Sequence, residues 1–405
     1  MAKVIVIGAG PAGIMAALSA SKSNKVTLIE RNNEIGKKLK LTGGGRCNIT
    51  NNRDIEEFFE KIVTNKKFLY SAFYTFSNIN LLEYLSNNGL EYKIEYDEKV
   101  FTKSDKADEV IDIFKNNLIK NGVEILYNTK VNDLIVDNEC IKGIVTEDNR
   151  EIYADSVIVT TGGKSYPTTG SDGSMYDIIQ KYGHTINPLY PALIPLVIKE
   201  GFIKNMQGIS MKEVIVSTTI KKKKIQRQGD MIFTHFGISG PGVLKISSYI
   251  SKILKEKEVE IKLDFLPQIS KDELSKIIRT NANKGLVNNL KGYLPQNFIK
   301  ELLNILNLNE IKISELKKED EAKLIEYIKE MKLTVEDTIT IKAAMVTSGG
   351  VSVKEINSST MESKKIKKLF FAGEVIDIDA ETGGYNLQMA FSTGYLAGIN
   401  SGKQF

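Results

Sequence analysis

Cysteine and histidine are scarce in this 405-residue chain, two of each. Cys47 and Cys140 form no C-x-x-C pair and the two histidines stand far apart, so neither a redox dithiol nor a protein-built zinc site is expected, and no metal is assigned. No apolar run approaches the length of a membrane span, and the first residues form a strand pattern rather than a signal peptide. No membrane partner is therefore expected. Sparse cysteine fits a reducing setting, so the expected location is cytoplasmic. A dominant charge is also lacking: the net +5 comes from many lysines among nearly as many acids. The densest run, Lys221 to Lys224, has no arginine or aromatic clustering beside it and reads as a solvated hairpin tip, so no nucleic-acid partner is expected. Repeats and low-complexity tails are absent. What remains, 42% apolar and 26% charged, is an ordinary globular composition with length for two or three domains.

The opening stretch "KVIVIGAGPAGIMAALSASKSNKVTLIER" is richer. Val4 to Ile7 is a β-branched run suited to a strand buried on both faces, and Ile14 to Ala20 has the small and apolar residues of a helix. Between them Gly8, Gly10, Pro11, Ala12 and Gly13 stand in G-x-G-x-x-G spacing. Gly8 permits the tight turn, Gly10 lets backbone approach a pyrophosphate, and Gly13 lets the helix pack on the strand. The helix N-terminus offers N–H groups and a positive dipole end to phosphate. A second strand, Val26 to Ile29, ends in Glu30, placed to accept the hydroxyls of a ribose. Arg31 reads equally as a group over adenine or phosphate and as a surface arginine.

Nicotinamide and flavin dinucleotide folds begin alike, and three later segments point to FAD. "GKKLKLTGGGRCNITN" follows the Glu30 turn and carries Lys38, Thr42, Gly43, Gly44, Gly45, Arg46, Cys47 and Asn48. It has no Lys-Ser or Lys-Thr pair after its glycines, so it is not a P-loop, and Cys47 has no partner cysteine. It reads as a backbone-lined wall of a cofactor site, with Arg46 and Asn48 facing the flavin or its phosphates. "EIYADSVIVTTGGKSYP" runs a strand, Ser156 to Thr160, into Thr161, Gly162 and Gly163. "KKLFFAGEVIDIDAETGGYNLQMAFSTGYLAG" gives a strand, Leu369 to Ala372, then Gly373 for close approach, and Glu374 or Asp377 to reach a ribityl hydroxyl. Gly383 and Gly384 lead into a helix whose Ala390, Gly394, Ala397 and Gly398 suit a bulky neighbour, read as ligand.

These blocks, with "GGKSYPTTGSDGSMYDI" and "FTHFGISGPGVLKIS", resemble in content and order the signature blocks of the HI0933-like or YhiN-like flavoproteins, a bacterial family that carries the names aminoacetone oxidase family and 3-dehydro-bile-acid Δ4,6-reductase. The resemblance spans essentially the whole chain. It implies an α/β fold: a Rossmann-type, glutathione-reductase-like FAD domain built from both chain ends, with an inserted β-rich domain and a small helical one. It implies that the triple-glycine loop lies along a tightly but non-covalently bound FAD, and that Gly384, Tyr385, Asn386 and Leu387 lie beside the isoalloxazine. Val131 falls where flavoproteins of this build hold adenine by its backbone.

The chain's own pattern divides the same way. Residues 1–188 and 340–405 read as the FAD domain, 189–268 as β-rich after closely spaced prolines, and 269–339 as helical, with charged, leucine-spaced segments. No second G-x-G-x-x-G marks a nicotinamide domain, so NAD(P)H is expected to dock transiently as reductant. Of the family's two named activities, the resemblance implies first the reduction of a conjugated enone in a 3-oxo bile-acid or steroid-like small molecule, hydride arriving from flavin N5 and a protein acid supplying the proton. Tyr166, His235 and Tyr385 are the candidate acids. His235, on a glycine-flanked loop, suits neutral pH, and reads equally as a packed interface histidine. The alternatives are oxidation of an aminoacetone-like amine with oxygen, and a non-catalytic flavin-bound sensor with the basic hairpin as its partner surface. Oligomeric state is not legible.

Overall fold

In the computed structural model, which describes residues 1–280, 285–309 and 311–403, the β-branched runs form one five-stranded parallel sheet. Its strands are β1 (Lys3–Ile7), β2 (Lys25–Ile29), β3 (Glu124–Leu126), β4 (Ser156–Val159) and β5 (Leu369–Phe371), in the order β5-β4-β1-β2-β3. Val4 pairs with Val26 on one side and Ser156 on the other, and Val159 pairs with Phe371. Every residue of β4 and β5 is buried, as expected where helices cover both faces of a parallel sheet.

Helix α1 (Pro11–Ala20) begins with proline at its first turn, where the missing N–H costs nothing. Nine of its ten residues are buried. The long terminal helix α2 (Tyr385–Ser401) lies directly on it. A Cβ on Gly394 would stand 2.2 Å from Ala12 O, and one on Gly398 2.4 Å from Ala16 O and 2.0 Å from Ser19 Oγ. The small residues of "FSTGYLAG" therefore seat α2 against the backbone of α1. This corrects their reading as a ligand-facing surface: at Gly394 and Gly398 the bulky neighbour is protein.

The chain divides into two units, Met1–Tyr190 with Ile341–Phe405, and Pro191–Thr340. The first holds the parallel sheet, α1 and α2. The second is a closed six-stranded barrel in the order Leu196–Ile198, Gly237–Ser239, Lys223–Phe233, Ser210–Ile220, Val259–Asp264, Met331–Thr338. Helices Lys271–Arg279, Leu286–Leu290, Gln296–Leu306 and Lys318–Glu330 occur between the last two strands in sequence. Ser270 and Glu273 form a capping box at the first of them. The stretch 269–339, read as helical, thus also provides the barrel strand Met331–Thr338. The barrel interior and these helices share one apolar core, which includes Phe233, Phe265 and Phe298. Residues 281–284, inside the helical stretch, lie outside the described residues. Among the described residues no helix is long and apolar enough to cross a membrane.

Candidate functional site

The turn from β1 into α1 has the geometry its glycines require. Gly8 has φ +97°, its N–H donates to Ile29 O at 2.7 Å, and a Cβ on it would meet Thr160 O at 2.9 Å. A Cβ on Gly13 would stand 1.8 Å from Gly8 O, so helix and turn touch only because it is absent. Gly10 is different: nothing lies within 4 Å of where its Cβ would be. Gly10 is also the N-cap of α1, and no side chain caps the first-turn N–H groups. An open space over uncapped, dipole-aligned N–H groups is what a pyrophosphate needs, so the residues fit a dinucleotide. Pro11 and Ala12 open the first turn of α1.

Glu30, at the end of β2, is buried and already oriented. Its Oε2 accepts from Ala9 N at 2.8 Å, and its Oε1 from Asn32 N at 2.8 Å and Asn32 Nδ2 at 2.6 Å. Thr129 N donates to Glu30 O and Asn128 N to Asn32 O, which brings the chain just before Val131 alongside this carboxylate. Val131 itself is buried at the start of strand Val131–Asp137. Arg31 is ion-paired to Asp172 and reaches Gly170 O at 3.4 Å. Burial alone would raise the Asp172 carboxyl, but Arg31 and the Ser174 N–H outweigh it and hold it below its usual range. Arg31 is thus tied to the 170–172 turn.

The triple-glycine loop is a left-handed run: Gly43, Gly44 and Gly45 have φ 60°, 69° and 88°, and Cys47 follows at 59°. Cβ atoms on Gly44 and Gly45 would meet nothing within 4 Å, so their backbone faces open space. Thr42 Oγ1 donates to Leu39 O at 2.7 Å and Thr42 O accepts from Cys47 N at 2.9 Å, which closes the loop on itself. Cys47 is fully buried, and that burial pushes its thiol up to about 12, so it is a neutral packing group at ordinary pH. Arg46, expected at the flavin or its phosphates, bonds Glu95 Oε1 at 2.9 Å and Asp105 Oδ1 at 3.2 Å and lies 4.0 Å over the Phe101 ring. The structure commits it to that cluster. Asn48, with its amide oriented to suit both neighbours, donates to Thr50 O and accepts from Gly384 N at 3.1 Å.

Asn48 is one of several stitches between distant blocks. Asn51 Nδ2 donates to Gly383 O at 3.0 Å, and Thr50 Oγ1 bonds Gln388 Oε1 at 2.8 Å. A Cβ on Gly384 would stand 2.4 Å from Thr50 O. Lys38 Nζ bonds Ser165 Oγ and Glu374 Oε2, both at 2.7 Å. Ser165 Oγ and Thr347 N both donate to Glu374 Oε1, at 3.0 and 2.8 Å. Thr347 Oγ1 in turn accepts from Lys164 N and Ser165 N, and Gly163 is packed against Thr347 so closely that a Cβ would stand 2.4 Å away. Gly162 has φ +74° and packs on Ser171, and Gly373, φ +76°, lies against Ala12. Thr161 follows the end of β4 at half-buried depth. The three signature blocks within Met1–Tyr190 and Ile341–Phe405 therefore meet at one place around the start of α1.

Asp377 is buried, and its Oδ2 accepts from Asn187 Nδ2 at 2.7 Å and Asn65 Nδ2 at 3.1 Å, while its buried Oδ1 has no donor. That atom is suited to a ligand hydroxyl. Asn386 closes the turn ahead of α2, donating to Ala380 O and accepting from Ala380 N. Leu387 is half-buried beside it. Sequence reasoning missed Thr160, Ser165 and Thr347, although a signal was present for the last. "VTSGGV" is wholly buried, and polar residues in such a strand must each find a partner.

The three candidate acids are placed differently. Tyr385 packs edge-on to Phe58 at 5.0 Å, 2% exposed, with its hydroxyl enclosed near Arg53; burial, then Asp97, drives its pKa upward. Tyr166 is half-buried in the signature loop with φ +51°, an uncommon conformation for a bulky residue. His235 is exposed on the turn between strands Lys223–Phe233 and Gly237–Ser239, in the barrel unit, edge-on to Phe236 at 4.9 Å. Among the described residues no three His, Cys, Asp or Glu side chains are grouped to hold a metal.

The model of the family described as HI0933-like protein Rossmann domain matches residues 2–400. The chain belongs to the HI0933-like family. This HI0933-like chain is 33% identical to 3-dehydro-bile acid Δ(4,6)-reductase of Clostridium scindens, over 98% of each protein. It is 29% identical to ribosomal RNA dihydrouridine synthase of Haemophilus influenzae, over 99% of this chain and 98% of that one. The synthase of the same name from Escherichia coli is 28% identical over 96% of both. Among solved structures, the fold resembles 3-ketosteroid-Δ4-(5α)-dehydrogenase of Rhodococcus jostii in complex with 4-androstene-3,17-dione, with TM-score 0.54, 14% identity, and 100% of this chain and 97% of that one covered. HI0933-like proteins are a family of FAD-dependent oxidoreductases with a Rossmann-type domain.

Proposed function

We propose that this chain is an FAD-dependent reductase of a carbon–carbon double bond conjugated to a carbonyl, recharged by transiently docked NAD(P)H. The observation that carries the reading is full-length similarity to proteins whose names share one chemistry. A Δ(4,6)-reductase of a 3-oxo bile acid and a dihydrouridine synthase both saturate an alkene polarised by a neighbouring carbonyl. Bound flavin supplies the hydride donor for such a step. The chain's residues do the rest. Gly8, Gly10 and the start of α1 cradle the pyrophosphate, Glu30 takes the ribose diol, and Asp377 Oδ1 takes a ribityl hydroxyl. Gly43 to Gly45 wall the cofactor with bare backbone.

A proton must reach the carbon next to the carbonyl. Tyr166 is the donor we assign: it follows Ser165, which bonds Lys38 and Glu374, it is not fully buried like Tyr385, and its strained backbone is of the kind found at functional positions. A 3-oxo steroid-like acid is the first substrate reading. A second, a uracil held in RNA, is favoured by the two synthases that match over nearly their whole length.

The test is anaerobic. The yellow protein is mixed with NADPH or NADH, then with an enone bile acid or with uridine-containing RNA, and flavin absorbance is followed. Bleaching by the nicotinamide and recovery on adding the alkene supports the proposal. Bleaching by aminoacetone, with peroxide on admitting air, replaces it by an amine oxidase. A flavin that no reductant bleaches leaves only the sensor reading. Tyr166→Phe is expected to slow recovery by the alkene about 100-fold and to leave bleaching by NADPH unchanged.

A further inference from the structure

We infer that the lysine-tipped arm of the barrel unit docks the phosphate backbone of RNA. The arm is the antiparallel ribbon Ser210–Ile220 and Lys223–Phe233, paired out to Ile220 and Lys223, so that Lys221 and Lys222 alone make the turn. Both have positive φ, 47° and 67°. A two-residue turn with both residues left-handed favours Asn-Gly, yet lysine occupies both places against the backbone's preference. Lys221, Lys222, Lys223 and Lys224 are all exposed.

Residues 214–229 hold those four lysines and Arg227 and no acid. Their +5 equals the net charge of the whole chain, so everything outside this stretch balances to zero. The acid-free stretch 35–53 also carries +5, but its Lys38, Lys40, Arg46 and Arg53 are ion-paired to acids elsewhere in the chain; the lysines of the arm's tip stand exposed. Acids return only at the base, with Glu213 and Asp230, where Glu213 N donates to Asp230 Oδ1 at 3.1 Å. Arg227 is fixed on the ribbon by Tyr249, whose hydroxyl accepts from it at 2.8 Å.

A field so concentrated selects a polyanion. The stretch has no aromatic side chain, and Ile220 and Ile225 are half-buried, so it presents no wedge for a lipid bilayer and no platform for stacked bases. Phosphate contacts need neither, because a lysine acts there as a point charge and carries no sequence information. The lack of aromatics and of clustered arginines, which argues against base readout, therefore leaves backbone docking intact. The choice of RNA among polyanions rests on the uracil reading of the reaction.

The experiment uses full-length flavoprotein and a labelled stem–loop RNA, with binding followed by fluorescence anisotropy between about 50 and 200 mM salt. The variant combines Lys221→Asn, Lys222→Gly, Lys223→Gln and Lys224→Gln, which removes four charges and gives the turn its preferred residues. The wild type is expected to bind, and the variant to bind at least about tenfold more weakly, with a log–log salt slope shallower by about 3. No binding by the wild type at the lowest salt overturns the proposal, as does a variant with unchanged affinity and slope. Equal affinity for duplex DNA or for phosphatidylglycerol vesicles overturns the assignment to RNA. Binding is read without turnover, and reduction of a free enone is measured separately in both proteins. Lost reduction with intact RNA binding overturns the reductase reading alone; intact reduction without RNA binding overturns the arm alone.

Discussion

Single glycines in the fingerprint have separable tasks, and substitution separates them. Gly13→Ala forces a methyl to within 1.8 Å of Gly8 O, and the helix must shift; we expect a loss of about 3 kcal/mol, read as a lower Tm of the protein with or without FAD. At Gly10 nothing lies within 4 Å of an added Cβ, so the Gly10→Val apoprotein is expected to melt near the wild-type temperature yet to purify without flavin absorbance. A yellow Gly10→Val protein would show that the cradle holds something else. Cys47 makes an alkaline prediction. Its folded-state thiol titrates near 12 against a reference of 9.0, so between those values the unfolded chain releases its proton first. Stability then falls with rising pH by up to about 1.4 kcal/mol per unit from this group, and Cys47→Ala should flatten that slope in denaturant melts at pH 9 to 11. The tight turn at Gly8 and the close helix contact at Gly13 were legible in sequence because glycines at fixed spacing between a strand and a helix define that turn. Arg46 was not, since its partners Glu95 and Asp105 reach it through a strand and turn that spacing alone does not bring near.

Among the elements, the contact of α1 with α2 is the one most exposed to small changes. Gly394→Ala places a methyl 2.2 Å from Ala12 O, at the N-terminal end of α1. The helix start that we propose cradles the pyrophosphate would be displaced, so the variant should lose both about 2 kcal/mol of stability and part of its FAD affinity. A variant that melts early but keeps full FAD affinity would show that the strain is absorbed in α2. Small residues at helical spacing fit a ligand surface and a helix surface equally well, and only the partner decides between them. That is why the sequence placed these glycines correctly on a helix and left their neighbour open. The strand Met331–Thr338 was obscured for a similar reason: it follows the helix Lys318–Glu330 without a break, and no glycine or proline punctuates the change.

At the scale of the molecule, the two units have separate apolar cores, and the inserted one is closed by its own ends. Strand Leu196–Ile198, near its start, pairs directly with Met331–Thr338, near its finish. Residues 191–340 expressed alone are therefore expected to give a cooperative thermal transition by circular dichroism, and a broad, non-cooperative melt would show that the barrel needs the rest of the chain. The nucleotide-binding unit has the opposite character. Strand β5 and helix α2 complete its sheet and cover α1, and both leave the ribosome after the whole barrel has been made. During synthesis the apolar strand β4 and the back of α1 wait uncovered while the whole inserted unit is made downstream of them. The order of translation thus delays completion of the parallel sheet and the covering of α1 until β5 and α2 have been made.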